Sequence, residues 1–378
     1  MNIAIVGCGY VADMYMQTLP GLDGLTLLGA YDRDPARLAA FTAFHKIPAY
    51  PSMEALLADD RVAMVVNLTN PRSHHEVSLR ALEAGRHVYS EKPLAMTMAE
   101  AEDLVAAAKV RGLGLAAAPC NHLSDVVQAL AAELKAGRLG RVMLAQAEMD
   151  DGMVHMLDYK NWRSISGAPW AARDEFEVGC TMEHAGYQIT PLVALFGPVR
   201  RVTAFNALLI PEKGKELGAE VSSPDLSIGM LEFDGGVVAR LTNTIIAPSD
   251  RSLRVIGERG VATIPDVWEY HTPLRISATG MSYAARLSRK IEKKVSGVIP
   301  RLLIGRRLPV AHGRKVPRTQ GGHRMDFSRG IAQLAAQIER GAPSMVGADL
   351  ALHVTEVTLA LQSPATAARA EVMRTSVS

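Results

Sequence analysis

Short apolar runs alternate with helix-period segments along the first 120 residues. NIAIVG, from Asn2, reads as a buried strand, and the residues after it as a helix running toward Pro20. LTLLGAYD is a second strand. DPARLAAFTAFHK follows as a helix opened by a capping aspartate, Asp34, with proline at its first position. VAMVVNLT and RHVYSEKP are further strands, separated by the helical stretch HHEVSLRALEAG, and LGLAAAP closes the series. Thr97 to Glu100 has the spacing of a capping box ahead of AEDLVAAAKVRG. This alternation predicts parallel βαβ units with helices on both faces of a sheet.

Beyond residue 120 the rhythm changes. LSIGMLEF and VVARLTNTII flank a glycine turn, as do LRVIG and VATIP, and RVMLAQAEMD and RVTAFNALLI are further strand candidates. The pattern predicts an α/β domain over residues 1–120, followed by an α+β domain over 121–378 built on a large, mostly antiparallel open sheet. An exposed sheet face is commonly covered by a second subunit, so a homo-oligomer, dimer or tetramer, is expected.

A chain of 378 residues with 48% hydrophobic and 21% charged residues suits a soluble two-domain protein. No run approaches the ~18 apolar residues of a membrane span, and MNIAIVGCGY lacks the basic start of a secretory signal. Three scattered cysteines without a CxxC pair point to a reducing compartment, with the cytoplasm expected. The net charge of +2 hides an asymmetry: residues 286–318 hold eleven Lys and Arg against one acid, Glu292. The rest of the chain has 30 basic and 38 acidic residues, which argues against general nucleic-acid binding. The basic insertion, near 284–318, carries an amphipathic pattern of Leu287, Ile291, Val295 and Val298. Packing on its own sheet is preferred there over membrane-surface contact through 284–312.

The first strand-to-helix turn reads Gly7-Cys8-Gly9-Tyr10-Val11-Ala12, a GxGxxA spacing. Gly7 permits a tight turn, Gly9 a close backbone approach to a pyrophosphate, and Ala12 helix packing on the sheet. Asp32 ends the second strand 25 residues later, where a carboxylate would hold the ribose of a dinucleotide. That acid favours NAD; Arg33 beside it keeps NADP as the alternative. His74 and His75 lack further ligands at metal spacing, so no metal is expected.

Thr69-Asn70-Pro71-Arg72-Ser73-His74, placed after the fourth strand, and Glu91-Lys92-Pro93, placed at the end of the fifth, complete the pattern. With GCGYVA and Asp32 they resemble the Gfo/Idh/MocA oxidoreductases. The resemblance implies cofactor contacts at Gly7, Gly9, Tyr10, Val11, Ala12, Asp32, Arg33, Thr69, Asn70, His74, Glu91 and Lys92. It places Lys92 against substrate and nicotinamide, and Asn121, after the sixth strand, against either. HMLDYKNWRSISGAPW is rich in donors and aromatic rings, and its Tyr159, Trp162 and Arg163 suit a polyhydroxylated ring. With GCTMEHAGY it is similar to a polysaccharide-associated branch, which points toward a sugar or sugar nucleotide.

Family members carry D-x-x-x-H-x-x-D on a helix before an FGPV-like turn. Here Glu183, Tyr187 and Thr190 take those places, on one face at i, i+4 and i+7. His184 lies about 100° off that line. Lys92 beside Tyr187 is expected to lower the phenol's pKa and make a coupled proton acceptor, with Glu183 holding the lysine or a sugar hydroxyl. The alternative leaves Tyr187 to pack on substrate, with Lys92 or His184 as the base. The resulting expectation is an NAD(P)-dependent dehydrogenase acting on a secondary hydroxyl of a sugar, cyclitol or sugar nucleotide. Two alternatives stand beside it: a redox-neutral lyase or glycosidase with retained NAD, and a non-catalytic dinucleotide-binding regulator.

Overall fold

The computed structural model describes residues 1–278, 306–341 and 345–363. Five parallel strands form the first sheet: β1 (Asn2–Val6), β2 (Thr26–Tyr31), β3 (Met64–Asn67), β4 (His87–Ser90) and β5 (Leu115–Ala117). Their spatial order is β2-β1-β3-β4-β5. All four residues of β3 are buried, as a central parallel strand covered on both faces requires. The segments around EKP and after VAMVVNLT therefore follow the fourth and third strands, not the fifth and fourth. Between β2 and β3 the chain adds only a single bridge, Ala30 to Ala49. Asn121 correspondingly follows the fifth strand.

Helices α1 (Tyr10–Thr18), α2 (Pro35–His45), α3 (Met53–Ala58), α4 (His74–Glu83) and α5 (Met98–Arg111) connect these strands. The Asp34 side chain caps α2, accepting from Ala36 N and Arg37 N. The Thr97–Glu100 capping box forms at α5 as its spacing predicts.

After α6 (Asp125–Lys135) comes a sheet of eight strands: β6 (Val142–Asp150), β7 (Val199–Ala207), β8 (Leu226–Phe233), β9 (Val238–Thr244), β10 (Leu253–Gly257), β11 (Gly260–Ile264), β12 (Leu274–Ala278) and β13 (Arg306–Leu308). The order is β13-β12-β11-β10-β6-β9-β8-β7, antiparallel except where β6 runs parallel to β9. Strand β8 buries alternate residues, so one face of the sheet packs inward while Ile228 and Met230 face out. The proposed amphipathic helix of the basic segment falls largely on 279–305, outside the described residues. Its described end supplies edge strand β13.

Helices α7 (Ala172–Val178), α8 (Cys180–His184) and α9 (Gly186–Phe196) lie between β6 and β7, and α10 (Arg329–Arg340) and α11 (Ala348–Gln362) are the last helices of the described residues. The last two return to the first sheet. Gly330 packs so closely on Tyr89 that a Cβ there would lie 2.3 Å from its hydroxyl, and Gly114 meets Ile338 of α10. Among the described residues no helix is long and apolar enough to cross a membrane.

Candidate active site

At the carboxyl ends of β1, β3 and β4 lies a cleft of about 1150 Å³, walled on its other side by residues of the second domain. One half is shaped by the glycine turn. Gly7 has φ +96°, and a Cβ there would stand 2.6 Å from the Leu68 carbonyl, so only glycine fits. A Cβ at Gly9 would meet nothing within 4 Å, because that position opens onto the cleft. Asp32 accepts from Cys8 N (2.7 Å) and Asp34 N (2.8 Å), one bond to each carboxylate oxygen. Its carboxylate is thus aimed and retains acceptor capacity for hydroxyl groups. A glycine turn open to the cleft and a fixed carboxylate at the neighbouring strand end fit a dinucleotide. Arg33 lines the cleft as expected, and Arg37 joins it from α2.

The loops after β3 and β4 are tied together from below. Buried Asn67 donates to His74 O and Ser78 Oγ, and accepts from Thr69 N and Oγ1. The His74 ring bridges Thr69 O (3.0 Å) and Pro93 O (2.6 Å). Glu91 accepts from Tyr15 Oη (2.7 Å) and from Lys92 N (2.9 Å). This fixes Lys92, whose ammonium crosses the cleft to Glu183 Oε2 at 2.5 Å.

Glu183 and Tyr187 keep their one-turn spacing because Ala185, between α8 and α9, is itself in the right-handed helical region. Burial opposes the Lys92 charge, but Glu183, with Tyr187, Glu91 and Glu175, holds the lysine pKa above its ordinary value. Burial also raises Glu183, with Lys92 acting against it and Glu175 in support.

Tyr187 departs from expectation. Burial raises its phenol above the ordinary value, and Lys92, which lowers it as that pairing predicts, only partly offsets the rise. The ammonium stands 5.9 Å from the ring centroid, and Trp268 packs edge-on at 5.0 Å. Tyr187 is a wall of the cleft. His184 turns away from Lys92 and places Nε2 2.7 Å from Glu175 Oε1, with Asp151 3.9 Å from Nδ1. Burial disfavours its charge, but the two carboxylates outweigh this and raise its pKa. Arg251 bonds Asp151 and Asp266 and stacks on Trp268, 4.6 Å from the ring centroid.

Of the residues singled out from sequence, Gly7, Gly9, Tyr10, Val11, Asp32, Arg33, Thr69, Asn70, Glu91, Lys92, Trp162, Arg163, Glu183, His184 and Tyr187 line this cleft. Four do not. Ala12 is fully buried in helix packing. His74 is fully buried and serves the two loops. Asn121 points into the protein and donates to Val267 O at 2.9 Å. Tyr159 packs edge-on against Phe176 beneath the second domain's surface. Thr190, on the same helix face as Glu183, turns its hydroxyl back to Gly186 O. Sequence reasoning missed Glu175, Asp151, Arg251, Trp268 and His323, which line the cleft from separate segments.

A parallel sheet with this glycine turn, joined to a lysine–carboxylate pair at the floor of the same cleft, defines a nicotinamide-dependent oxidoreductase. The chain belongs to the Gfo/Idh/MocA family. Residues 1–118 match the NAD-binding Rossmann fold of that oxidoreductase family, and 127–263 match its C-terminal domain. The trans-1,2-dihydrobenzene-1,2-diol dehydrogenase of Oryctolagus cuniculus is 27% identical over 265 residues, covering 69% of this chain and 74% of that protein. The D-apiose dehydrogenase of Paraburkholderia graminis is 25% identical over 238 residues, covering 62% and 58%. In fold, the chain is similar to UDP-N-acetylglucosamine 3-dehydrogenase from Acidithiobacillus ferrooxidans, with TM-score 0.69, 19% identity and 96% of each chain covered.

The glycine turn yields a direct prediction. Gly9→Ala has room in the protein and should leave the melting temperature unchanged, yet weaken NADH binding roughly tenfold or more in a fluorescence titration, since its methyl occupies dinucleotide space. Wild-type affinity in that variant would show that the turn does not hold the phosphates.

Proposed function

We propose that this protein oxidises a secondary hydroxyl on a neutral, polyhydroxylated ring, with Lys92 and Glu183 together taking the hydroxyl proton. The carrying observation is the 2.5 Å contact of Lys92 with Glu183 on the floor of the cleft that also holds Gly9 and Asp32. Gly7, Gly9 and the start of α1 would hold the pyrophosphate, and Asp32 the ribose, which favours NAD over NADP. When bound, the nicotinamide accepts the hydride.

The protein's own part is the proton. Lys92 passes one Nζ proton to Glu183, and the nitrogen lone pair this frees takes the hydroxyl proton. The O–H and C–H bonds break, a carbonyl forms, and Glu183 ends protonated. Burial raises the Glu183 pKa, making it a better acceptor than an exposed carboxylate. Tyr187 and Trp268 give the cleft an aromatic lining for a ring.

Charge in this half of the cleft supports a neutral reacting ring. Lys92 is matched by Glu183, His184 by Glu175, and Arg251 by Asp151 and Asp266. These cations are already satisfied, whereas the carboxylates retain acceptor capacity for hydroxyl donors. The names of the diol and apiose dehydrogenases point the same way, toward compounds with neighbouring hydroxyls.

NADH formation, followed across free sugars, inositols, sugar nucleotides and a uronic acid, tests this reading. Turnover should appear with a neutral ring and fall roughly 10²–10⁴-fold in Lys92→Ala. Undiminished turnover in that variant would overturn the role of Lys92. Silence across the panel with NADH bound would favour retained-cofactor chemistry or a regulatory role.

We further propose that the open face of the second sheet meets a second copy of the chain. Phe205 lies opposite Ile228 on that face, with Met230 nearby, and all three are exposed. Sedimentation should give a dimer or tetramer that dissociates in Met230→Glu; a monomeric wild type would contradict this.

A further inference from the structure

The second domain reaches back over the dinucleotide half of the cleft through a tight hairpin at residues 162–170. Ser164 N donates to Ala168 O (2.8 Å), Ala168 N to Ser164 Oγ (3.0 Å), and Gly167 N to Ser164 O (2.9 Å). A bridge pairs Arg163 with Pro169 across its stem. Trp162 and Trp170, edge to face at 5.0 Å, line the same cleft as Gly9 and Asp32.

The tip lands on the first helix of the dinucleotide domain. Ser166 donates to Asp13 Oδ2 twice, from Oγ at 2.7 Å and from its backbone N at 3.2 Å. Asp13 Oδ1 faces His45 Nε2 of α2 at 2.5 Å. A second tie runs beside it: Ile165 N donates to Gln320 Oε1 (3.0 Å), and Gln320 Nε2 to Tyr10 O (3.1 Å).

Asp13 is fully buried, an expensive position for a carboxylate unless hydrogen bonds compensate it. Its side-chain donors come from α2 and from the hairpin, and those bonds hold its pKa below the usual carboxylate range although burial works to raise it. The carboxylate is therefore charged and bonded to both sides of the cleft. If the hairpin lifts, Asp13 loses the two Ser166 bonds.

We propose that Asp13, His45 and Ser166 form a latch that fastens the 162–170 hairpin over the bound dinucleotide, so that the cofactor leaves only when the latch opens. This rests on the reading of the cleft as a dinucleotide site. Asp13 acts as a positioning residue: it works through the hairpin that covers the cofactor.

The test is NADH release, followed by stopped-flow fluorescence after chase with excess NAD and without substrate. Ser166→Ala should speed release roughly tenfold, as expected for losing a hydrogen bond to a charged group, while the cofactor-free protein stays folded by circular dichroism. Ser166→Thr, which keeps the hydroxyl, should restore slow release. In steady state the KM for NAD should rise in Ser166→Ala without loss of kcat. A second readout is trypsin cleavage after Arg163, which NADH should slow in the wild type and not in Ser166→Ala. Equal release rates in wild type and Ser166→Ala, or cleavage indifferent to NADH, would overturn the latch alone. Failure of the wild type to bind NADH would overturn the latch and the dinucleotide reading together.

Discussion

The Lys92–Glu183 ion pair is the contact on which the site depends. One partner follows β4 of the dinucleotide domain and the other sits on α8 of the second, so the pair fixes the two walls of the cleft against each other. Both side chains are largely removed from water. A pair in that setting gains little net stability, because desolvation offsets attraction, but removing one partner strands a charge at a cost of about 3–5 kcal/mol. Its value is in placement. In the proposed reaction the ammonium is held beside the reacting hydroxyl, and the carboxylate is ready to take the proton.

The rest of the cleft is arranged around that pair. Asn67 and His74 brace the loops that carry it, and Tyr15, reaching Glu91 from α1, stiffens the backbone beside Lys92. Further into the second domain, the Glu175–His184 and Asp151–Arg251 pairs continue an alternation of opposite charges. Such a network is strongly directional in a poorly hydrated site, which suits recognition of hydroxyl groups by position.

Much of the fold was legible because it is written locally. The buried runs of β1 and β3, the Asp34 cap and the Thr97–Glu100 box each lie within a few residues, and each forms as its pattern predicts. Gly7, Gly9 and Asp32 were readable for the same reason. Helix spacing also put Glu183 and Tyr187 on one face, and the family resemblance set that face opposite Lys92. Burial was not legible: it raises the Tyr187 phenol against the pull of Lys92. His74 and Asn121 were assigned to the cleft by the family resemblance and Tyr159 by the composition of its segment, but each is drawn inward by a partner that sequence does not reveal. Asp151, Glu175, Arg251 and Trp268 come from four separate segments and share no spacing, so only tertiary structure brings them together.

The pH dependence of kcat/KM for alcohol oxidation, compared between wild type and Glu183→Gln, tests the central claim most directly. Glu183 must be ionised to receive the proton, and its pKa is raised by burial. Wild-type activity should therefore fall, as pH is lowered, through a midpoint above the ordinary glutamate value of about 4.3. The variant should be far slower and should lack that acid limb. An acid limb that persists unchanged in Glu183→Gln would place the proton acceptor elsewhere in the cleft and contradict the account.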